Sequence, residues 1–311
     1  MTLDGAGFSL DPSLPRVLVG GIPASVVAAS PRSVSVLLPP GLNGGRVPVR
    51  IADATGETAY LDVGAPLATG LHLVDSPRFD AEGNLYVTFS GSRGQETPVS
   101  IFVVRPDGSR EAFVTGIPNP TSLAIDEDGR LHVSSRFDGS VYRVDADGST
   151  TLVASDLGVA CGIAFGPDGA LYVGDRAGTI LRVSEGEARP FASLPASIAA
   201  FHLAFGPDGW LYVTAPTLNT RDAVYRVSRD GRVEVLYEGF GRPQGLAFDA
   251  HGQLFVVDAL AGAGGIYRLR GSGAPELMLA RGGLIGIAFN PRGGLVVASS
   301  DTVYGLSVRT A

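Results

Sequence analysis

Few side chains in this sequence can act in catalysis or bind a metal, and their types exclude several kinds of reaction and site. There is no lysine, and Cys161 is the single cysteine. Schiff-base chemistry, an intrachain disulfide and multi-cysteine metal sites are therefore excluded. Of the four histidines, His202 is the candidate general base, because an imidazole with an ordinary pKa of about 6.5 exchanges protons near neutral pH. Asp75 and Asp175 are the carboxylates that we expect to orient it.

Arginine offers a second kind of chemistry. Arg136 and Arg176 occupy equivalent loops of neighbouring sequence repeats, beside Asp138 and Asp175. Two guanidinium groups from adjacent loops can form a fork for a carboxylate or a sugar acid, because each presents paired N–H donors. The alternative is that each arginine forms a solvated pair with the nearby aspartate, which contributes little energy.

A repeated element must position these residues. Residues 75–311 contain one pattern six times, in which a short apolar strand, a tight glycine turn and a second strand follow one another. The six openings are SPRFDAEGNLYVT, SLAIDEDGRLHVS, GIAFGPDGALYVG, HLAFGPDGWLYVT, GLAFDAHGQLFVV and GIAFNPRGGLVVA. A period of about forty residues is the length of one four-stranded propeller blade. The sequence therefore predicts an all-β protein with a six-bladed β-propeller over residues 67–311.

The last repeat ends after its third strand, VYGLSV (303–308). An unpaired sheet edge is a liability that propellers remove by closing the ring, so the missing strand should come from elsewhere in the chain. The segment GLHLV (70–74) stands just before the first repeat. We expect this segment to complete the last blade.

Residues 1–66 do not follow the period. They contain short alternating strands separated by Gly, Pro and Asn, such as SVSVLLP (33–39) and RVPVRIA (46–52), which predict a small β-sandwich. GAGFS followed by VLVGGIPASVVAAS resembles the IPT/TIG family of immunoglobulin-like domains, cut short at its N-terminus. The resemblance implies an adhesive or spacer module, commonly outside the cytoplasm. We therefore expect an extracytoplasmic protein, although this chain shows no signal peptide.

The repeats resemble the SMP-30/gluconolactonase and NHL-repeat group, and RPQGLAFDAHGQLFVVDA (242–259) is close to the NHL opening. In lactonases of this type, Glu of an EGP, Asn of an NGL and Asp of a PDG opening hold a divalent cation at the channel mouth. The resemblance places Asp75, Cys161 and Gln244 at these positions. Because hard cations prefer carboxylate and carbonyl oxygens, this set disfavours Ca²⁺ or another divalent cation, and no metal ligands are predicted.

The same column of the resemblance contains Thr121, Phe201 and Ile285, so the channel wall is partly apolar and suits a small organic ligand. His202 stands beside Phe201. The alternative for His202 is a core histidine that is hydrogen-bonded between blades. The predicted ligand-binding residues are Thr121, Arg136, Cys161, Asp175, Arg176, Phe201 and Gln244, with His202 and Asp75 as catalytic candidates.

Two functions remain open. The first is a binding or scaffold protein that holds a small molecule, such as a sugar acid or lactone, or a protein partner at the channel mouth. The second is a lactonase-type hydrolase, acting on a lactone or carboxylic ester, with an altered metal site. A net charge of −7 without clustered cations argues against nucleic acid as a partner. The lack of an apolar run of about 18 residues argues against membrane insertion.

Overall fold

The computed structural model describes residues 1–10, 13–52, 58–260, 263–271 and 273–306. Within these ranges the chain is all β, which confirms the predicted class. The chain divides into two compact units, residues 1–66 together with 305–311, and residues 67–304. In the described part of the chain, no helix combines the length and apolar character needed to cross a membrane.

The first unit contains one hydrogen-bonded antiparallel sheet of six strands, in the order β1-β4-β3-β2-β5-β6. Its strands are β1 (Thr2–Asp4), β2 (Val17–Val19), β3 (Ile22–Ala29), β4 (Ser33–Leu37), β5 (Gly45–Ile51) and β6 (Ala59–Val63). Alternate valines of these strands point to one side of the sheet and are buried, among them Val17, Val19, Val34, Val36 and Val49. The sequence pattern of these residues predicted this alternation. The immunoglobulin-like family of the unit stays a prediction.

Beyond this first sheet, the described residues form six four-stranded sheets. Five of them are built from consecutive strands, in the groups β8–β11, β12–β15, β16–β19, β20–β23 and β24–β27, and the sixth combines β28–β30 with β7. The strands are β7 (Ala65–Ala68), β8 (Arg78–Phe79), β9 (Leu85–Thr88), β10 (Ile101–Val104), β11 (Arg110–Val114), β12 (Pro120–Ile125), β13 (Leu131–Ser135), β14 (Ser140–Val144), β15 (Thr150–Ala154), β16 (Ala160–Phe165), β17 (Leu171–Asp175), β18 (Thr179–Ser184), β19 (Glu187–Ser193), β20 (His202–Phe205), β21 (Leu211–Thr214), β22 (Asp222–Val227), β23 (Val233–Phe240), β24 (Pro243–Phe248), β25 (Leu254–Asp258), β26 (Gly265–Leu269), β27 (Glu276–Ala280), β28 (Leu284–Phe289), β29 (Leu295–Ser299) and β30 (Val303–Leu306).

The first strands of the six sheets contact one another in the cyclic order β8, β12, β16, β20, β24, β28 and back to β8. These strands are covered on both faces, and β12, β16 and β24 are buried at every position but the last. Their near-continuous apolar sequence follows from that burial. The core lies between neighbouring sheets, where Val141 of β14, for example, packs in one cluster with Ile163 of β16.

The glycine turns of the repeats are held by local hydrogen bonds. In the second repeat, Gly129 has φ of 79° and donates its N–H to the carbonyl of Asp126 at 3.0 Å. The carboxylate of Asp126 accepts from the backbone N–H of Arg130 at 2.9 Å. Asp-Gly is favoured here because Asp bonds to the backbone of its own turn and Gly tolerates positive φ. The turn fixes where the second strand of the repeat begins.

The strand that completes the last sheet is β7, so the prediction that residues 70–74 complete it is wrong. Gly70, with φ of 65°, turns the chain after β7. Leu71 and Leu73 then donate backbone hydrogen bonds to the carbonyls of Asp301 and Ser300, at 3.0 and 2.9 Å, and their side chains are buried. Alternate burial in a connecting segment produced the strand-like pattern.

Candidate functional site

The first strands bring equivalent residues of the six repeats together where these strands begin. One set is Asp75, Thr121, Cys161, Phe201, Gln244 and Ile285, and the next residue along each repeat gives Ser76, Ser122, Gly162, His202, Gly245 and Gly286. A Cβ atom on Gly245 would lie 2.5 Å from Ser76 Oγ, and one on Gly286 would lie 2.8 Å from Ser76 Cα. The ring is therefore narrow at this level, and His202 is the one large side chain of its set.

His202 joins residues of two other repeats through its ring nitrogens. Nδ1 lies 2.6 Å from Oδ1 of Asp75, and Nε2 lies 3.2 Å from Oε1 of Gln244. All three side chains are buried, and His202 is 1% exposed. Nδ1–H donates to the carboxylate, while Nε2 either donates to the Gln244 oxygen as part of an imidazolium or accepts from this amide after a 180° flip. An imidazole held by a carboxylate in this way is oriented for proton transfer at Nε2.

Asp75 is held in its charged form. Burial by itself raises the pKa of this carboxyl, but the charge and hydrogen bond of His202, the Ser122 hydroxyl and the charge of Arg78 outweigh it and leave the pKa below its usual value. The carboxylate also accepts from the backbone N–H of Ser76 at 2.6 Å. The predicted pairing of Asp75 with His202 is thus present in the structure as a hydrogen bond.

Asp175 does not approach His202 in the same way. Its Oδ1 accepts from the backbone N–H groups of Val159 at 2.9 Å and Ala177 at 3.3 Å. The carboxylate therefore holds the loops on either side of it. Arg176 does not form an ion pair with Asp175. Its Nε and Nη2 donate instead to the carbonyls of Ser197 and Ile198, at 3.2 and 3.0 Å.

Arg136, Ser90 and Gly91 form a polar corner at this end of the ring. Its Nη2 donates to the carbonyl of Gly91 at 3.3 Å. Among the described residues, Arg136 Nε and Ser90 Oγ are the buried side-chain polar atoms without a hydrogen-bond partner. Burial lowers the pKa of Arg136, and the charges of Arg176 and Arg93 lower it further. A cation that faces other cations and keeps an unused donor is suited to an anionic or carbonyl oxygen.

His72 belongs to the same corner, although the sequence pattern placed it in the expected closing strand. It is half-buried. Burial lowers its pKa, and the positive charge of Arg136 lowers it further. It also forms an isolated bridge with Phe89. No sequence signal pointed to this position, because the placement of His72 depends on how residues 70–74 leave the last sheet.

The remaining predicted ligand residues are packed into the ring. Phe201 is 0% exposed, and Thr121 Oγ1 donates to the carbonyl of Asn119 at 3.0 Å. Burial raises the pKa of the Cys161 thiol to about 11, against the opposing effect of nearby Arg136 and Arg176. Cys161 is therefore a protonated thiol at neutral pH and a weak nucleophile.

The donors at this end do not fit a hard divalent cation. Asp75 already accepts hydrogen bonds from His202 and Ser76, and the other two positions offer a protonated thiol and an amide. In the part of the chain that the structure describes, no three His, Cys, Asp or Glu side chains are grouped as metal ligands.

Arg78 is a residue that the sequence reasoning missed. The other five repeats have alanine at its position, namely Ala124, Ala164, Ala204, Ala247 and Ala288. Its Nε donates to the carbonyl of Leu123 at 2.8 Å, and burial lowers its pKa while the charge of Asp75 opposes that shift. The signal was available, because aligning the six repeats with one another shows one arginine among five alanines.

Comparisons with known proteins identify the fold. A family model described as strictosidine synthase-like, N-terminal, matches residues 162–183. No curated protein sequence matches the chain. Among solved structures, a gluconolactonase from Xanthomonas campestris superposes with a TM-score of 0.65 at 17% identity, covering 78% of this chain and 88% of that one. The chain contains a β-propeller.

Two further structures share this propeller fold. A putative oxidoreductase (glucose dehydrogenase) from Thermus thermophilus has a TM-score of 0.60 at 22% identity, covering 78% of this chain and 99% of that one. Virginiamycin B lyase from Staphylococcus aureus has a TM-score of 0.57 at 15% identity, covering 99% of both chains. At these identities the similarity concerns the fold alone, which is that of a β-propeller.

Proposed function

We propose that this protein is a lactonase-type hydrolase, built on a six-bladed propeller with an immunoglobulin-like domain before it. The observation that carries the proposal is the 2.6 Å hydrogen bond between His202 Nδ1 and Asp75 Oδ1, which orients an imidazole at the axis of the ring. The similarity to a gluconolactonase and to a putative glucose dehydrogenase favours an enzyme that acts on small sugar-like molecules over a scaffold protein.

In this proposal His202 is the general base. Its Nε2 takes a proton from water as the water oxygen attacks the lactone carbonyl, and the negative charge of Asp75 stabilises the imidazolium that forms. The imidazolium then returns the proton to the ring oxygen as the C–O bond breaks, giving a hydroxy acid. Gln244 covers Nε2 in the structure, so rotation of this side chain is the step that admits water.

Arg136 supplies the complementary charge. Its unused Nε and the Ser90 hydroxyl are buried donors at the same end of the propeller. Such donors stabilise the oxyanion of a tetrahedral intermediate and the carboxylate of the product, because they act at a desolvated site. Arg136, Arg176 and Asp75 all act electrostatically on the Cys161 thiol, which supports a joint role for the polar corner and the Asp75–His202 pair.

The test is hydrolysis of simple sugar lactones by wild type and by His202→Gln. We expect the substitution to reduce turnover by about 10²-fold or more, the usual contribution of general base catalysis. The matched control is His251→Gln, since His251 is exposed in a turn, and it should retain wild-type turnover. Circular dichroism and thermal unfolding check that each variant is folded.

The outcomes are separable. Unchanged turnover in folded His202→Gln, or a loss caused by His72→Gln and not by His202→Gln, removes His202 from the reaction. A wild-type protein that does not hydrolyse lactones but binds the corresponding hydroxy acids supports the binding-protein interpretation instead. Lost stability with unchanged specific activity shows that His202 is a structural hydrogen-bonding residue.

A further inference from the structure

A cavity lies in the propeller, at the opposite ends of the first strands from the Asp75–His202 pair. Its volume is about 370 Å³, within the range of small-molecule sites. Each of the six repeats contributes two adjacent residues to its wall, which are Arg78, Phe79, Ala124, Ile125, Ala164, Phe165, Ala204, Phe205, Ala247, Phe248, Ala288 and Phe289. The alanines leave the space open, and the larger residues after them form an apolar rim.

The aromatic rim is held in place from behind. Phe205 packs against Tyr172 with ring centroids 5.0 Å apart, and Phe248 packs against Tyr212 at 4.9 Å. Phe165 makes an edge contact with His132 at 4.8 Å. Rings that are fixed by edge-to-face packing lose little entropy when a ligand contacts them, so the cavity is preorganised.

Arg78 alone is charged among these twelve lining residues. Its one side-chain hydrogen bond within the described chain runs from Nε to the Leu123 carbonyl. Its side chain lines the cavity, and no hydrogen bond within the described chain uses its Nη groups. Five repeats close the ring with alanine at this position, so ring packing does not require a guanidinium here.

We propose that this cavity binds a small apolar carboxylate, with its aryl or branched alkyl group against the phenylalanine rim and its carboxylate on the Nη groups of Arg78. A guanidinium favours a carboxylate because it offers two parallel N–H donors. The acidic side chains of the adjoining turns are engaged locally, as where Asp80 accepts from Asn84 and Tyr86. Arg78 also acts electrostatically on Asp75, but the residues that line the cavity differ from those of the proposed lactonase site, and the proposal does not depend on that function.

The experiment is calorimetric titration of the full chain with phenylacetate, using neutral phenylacetamide as the comparison ligand. We expect one phenylacetate per chain and weaker binding of the amide. Arg78→Ala, which restores the residue of the other five repeats, should weaken phenylacetate binding by about tenfold or more through loss of the charge-assisted hydrogen bonds. Ala204→Leu, which fills the cavity and keeps Arg78, should abolish binding.

Arg189→Gln is the matched control, since it removes an exposed arginine that pairs with Glu187, and it should leave phenylacetate binding unchanged. The proposal is overturned if wild type does not bind phenylacetate, if Arg78→Ala binds it as tightly as wild type, or if Arg189→Gln loses binding to the same extent as Arg78→Ala. Should Arg78→Ala not fold, Ala204→Leu decides, and undiminished binding by that variant overturns the proposal. Lactone turnover does not enter any of these outcomes, so the lactonase proposal can fail independently.

Discussion

Nδ1 of His202 lies 2.6 Å from Oδ1 of Asp75, although 127 residues separate the two along the chain. Both side chains are buried. The pair joins the first repeat to the fourth across the axis of the ring, at a level where glycines leave no room for another large side chain. It is therefore both the centre of the proposed site and a connection between distant parts of the propeller.

Removing the carboxylate should destabilise the protein. Asp75→Ala leaves His202 buried without its partner, and truncating one member of a buried pair costs about 3–5 kcal/mol. Asp75→Asn keeps a hydrogen-bonding side chain and should lose less free energy of unfolding. Denaturant titration measures both variants, with exposed Glu127→Gln as the control, expected within about 0.5 kcal/mol of wild type. An Asp75→Ala variant as stable as this control contradicts the importance of the pair.

His132 should make stability depend on pH. Burial lowers its pKa, outweighing the hydrogen bond to the Arg130 carbonyl and the charge of Asp126. The unfolded chain therefore binds more protons as the pH falls below about 6.5, so the stability contributed by neutral His132 is complete above that pH and is lost as the pH falls. The free energy of unfolding should decline less between about pH 7 and 5 in His132→Gln than in wild type. His251→Gln, at an exposed turn, should follow the wild-type profile, and a parallel profile for His132→Gln contradicts the assignment.

Closure through β7 predicts a sharp difference between two N-terminal deletions. Deleting residues 1–63 retains β7 (Ala65–Ala68), whereas deleting 1–69 removes it and exposes the edge of β30. The longer deletion also removes buried Ala68 from the core of the last sheet. We expect the longer deletion to unfold at a clearly lower temperature than the shorter one, measured by scanning calorimetry. Equal melting temperatures for the two proteins contradict this closure.

Chelation should leave thermal stability unchanged. The carboxylate of Asp75 is engaged by His202 and Ser76, and a site of this composition does not retain calcium tightly. A metal at a hundredfold excess over its Kd stabilises a protein by about 2.7 kcal/mol, which a melting curve detects readily. EDTA should therefore not move the Tm. A fall of several degrees that Ca²⁺ reverses shows that the site holds a cation.

Much of the propeller could be predicted from its sequence because the evidence is local. Asp-Gly and related turns fix the start of each second strand, and apolar runs mark first strands that are covered on both faces, as in β12 and β16. Repetition strengthens the signal, since six weak patterns in the same phase are more informative than one. The closing strand was misassigned because Leu71 and Leu73 are buried in a connecting segment, and local alternation does not distinguish this from pairing in a sheet.

The sequence by itself determined the all-β class, the sixfold repetition and the set of side chains able to do chemistry, because each depends on residue type and short-range spacing. The tertiary structure alone decided which of these side chains meet. It brought Asp75 and Gln244 to His202, used Asp175 to hold neighbouring loops, and hydrogen-bonded the backbone of His72 to that of Ser90. These relationships depend on the order of the sheets around the ring and on which segment closes it. Both are set by contacts between residues that are far apart in the chain, and such contacts leave no pattern within a single stretch of sequence.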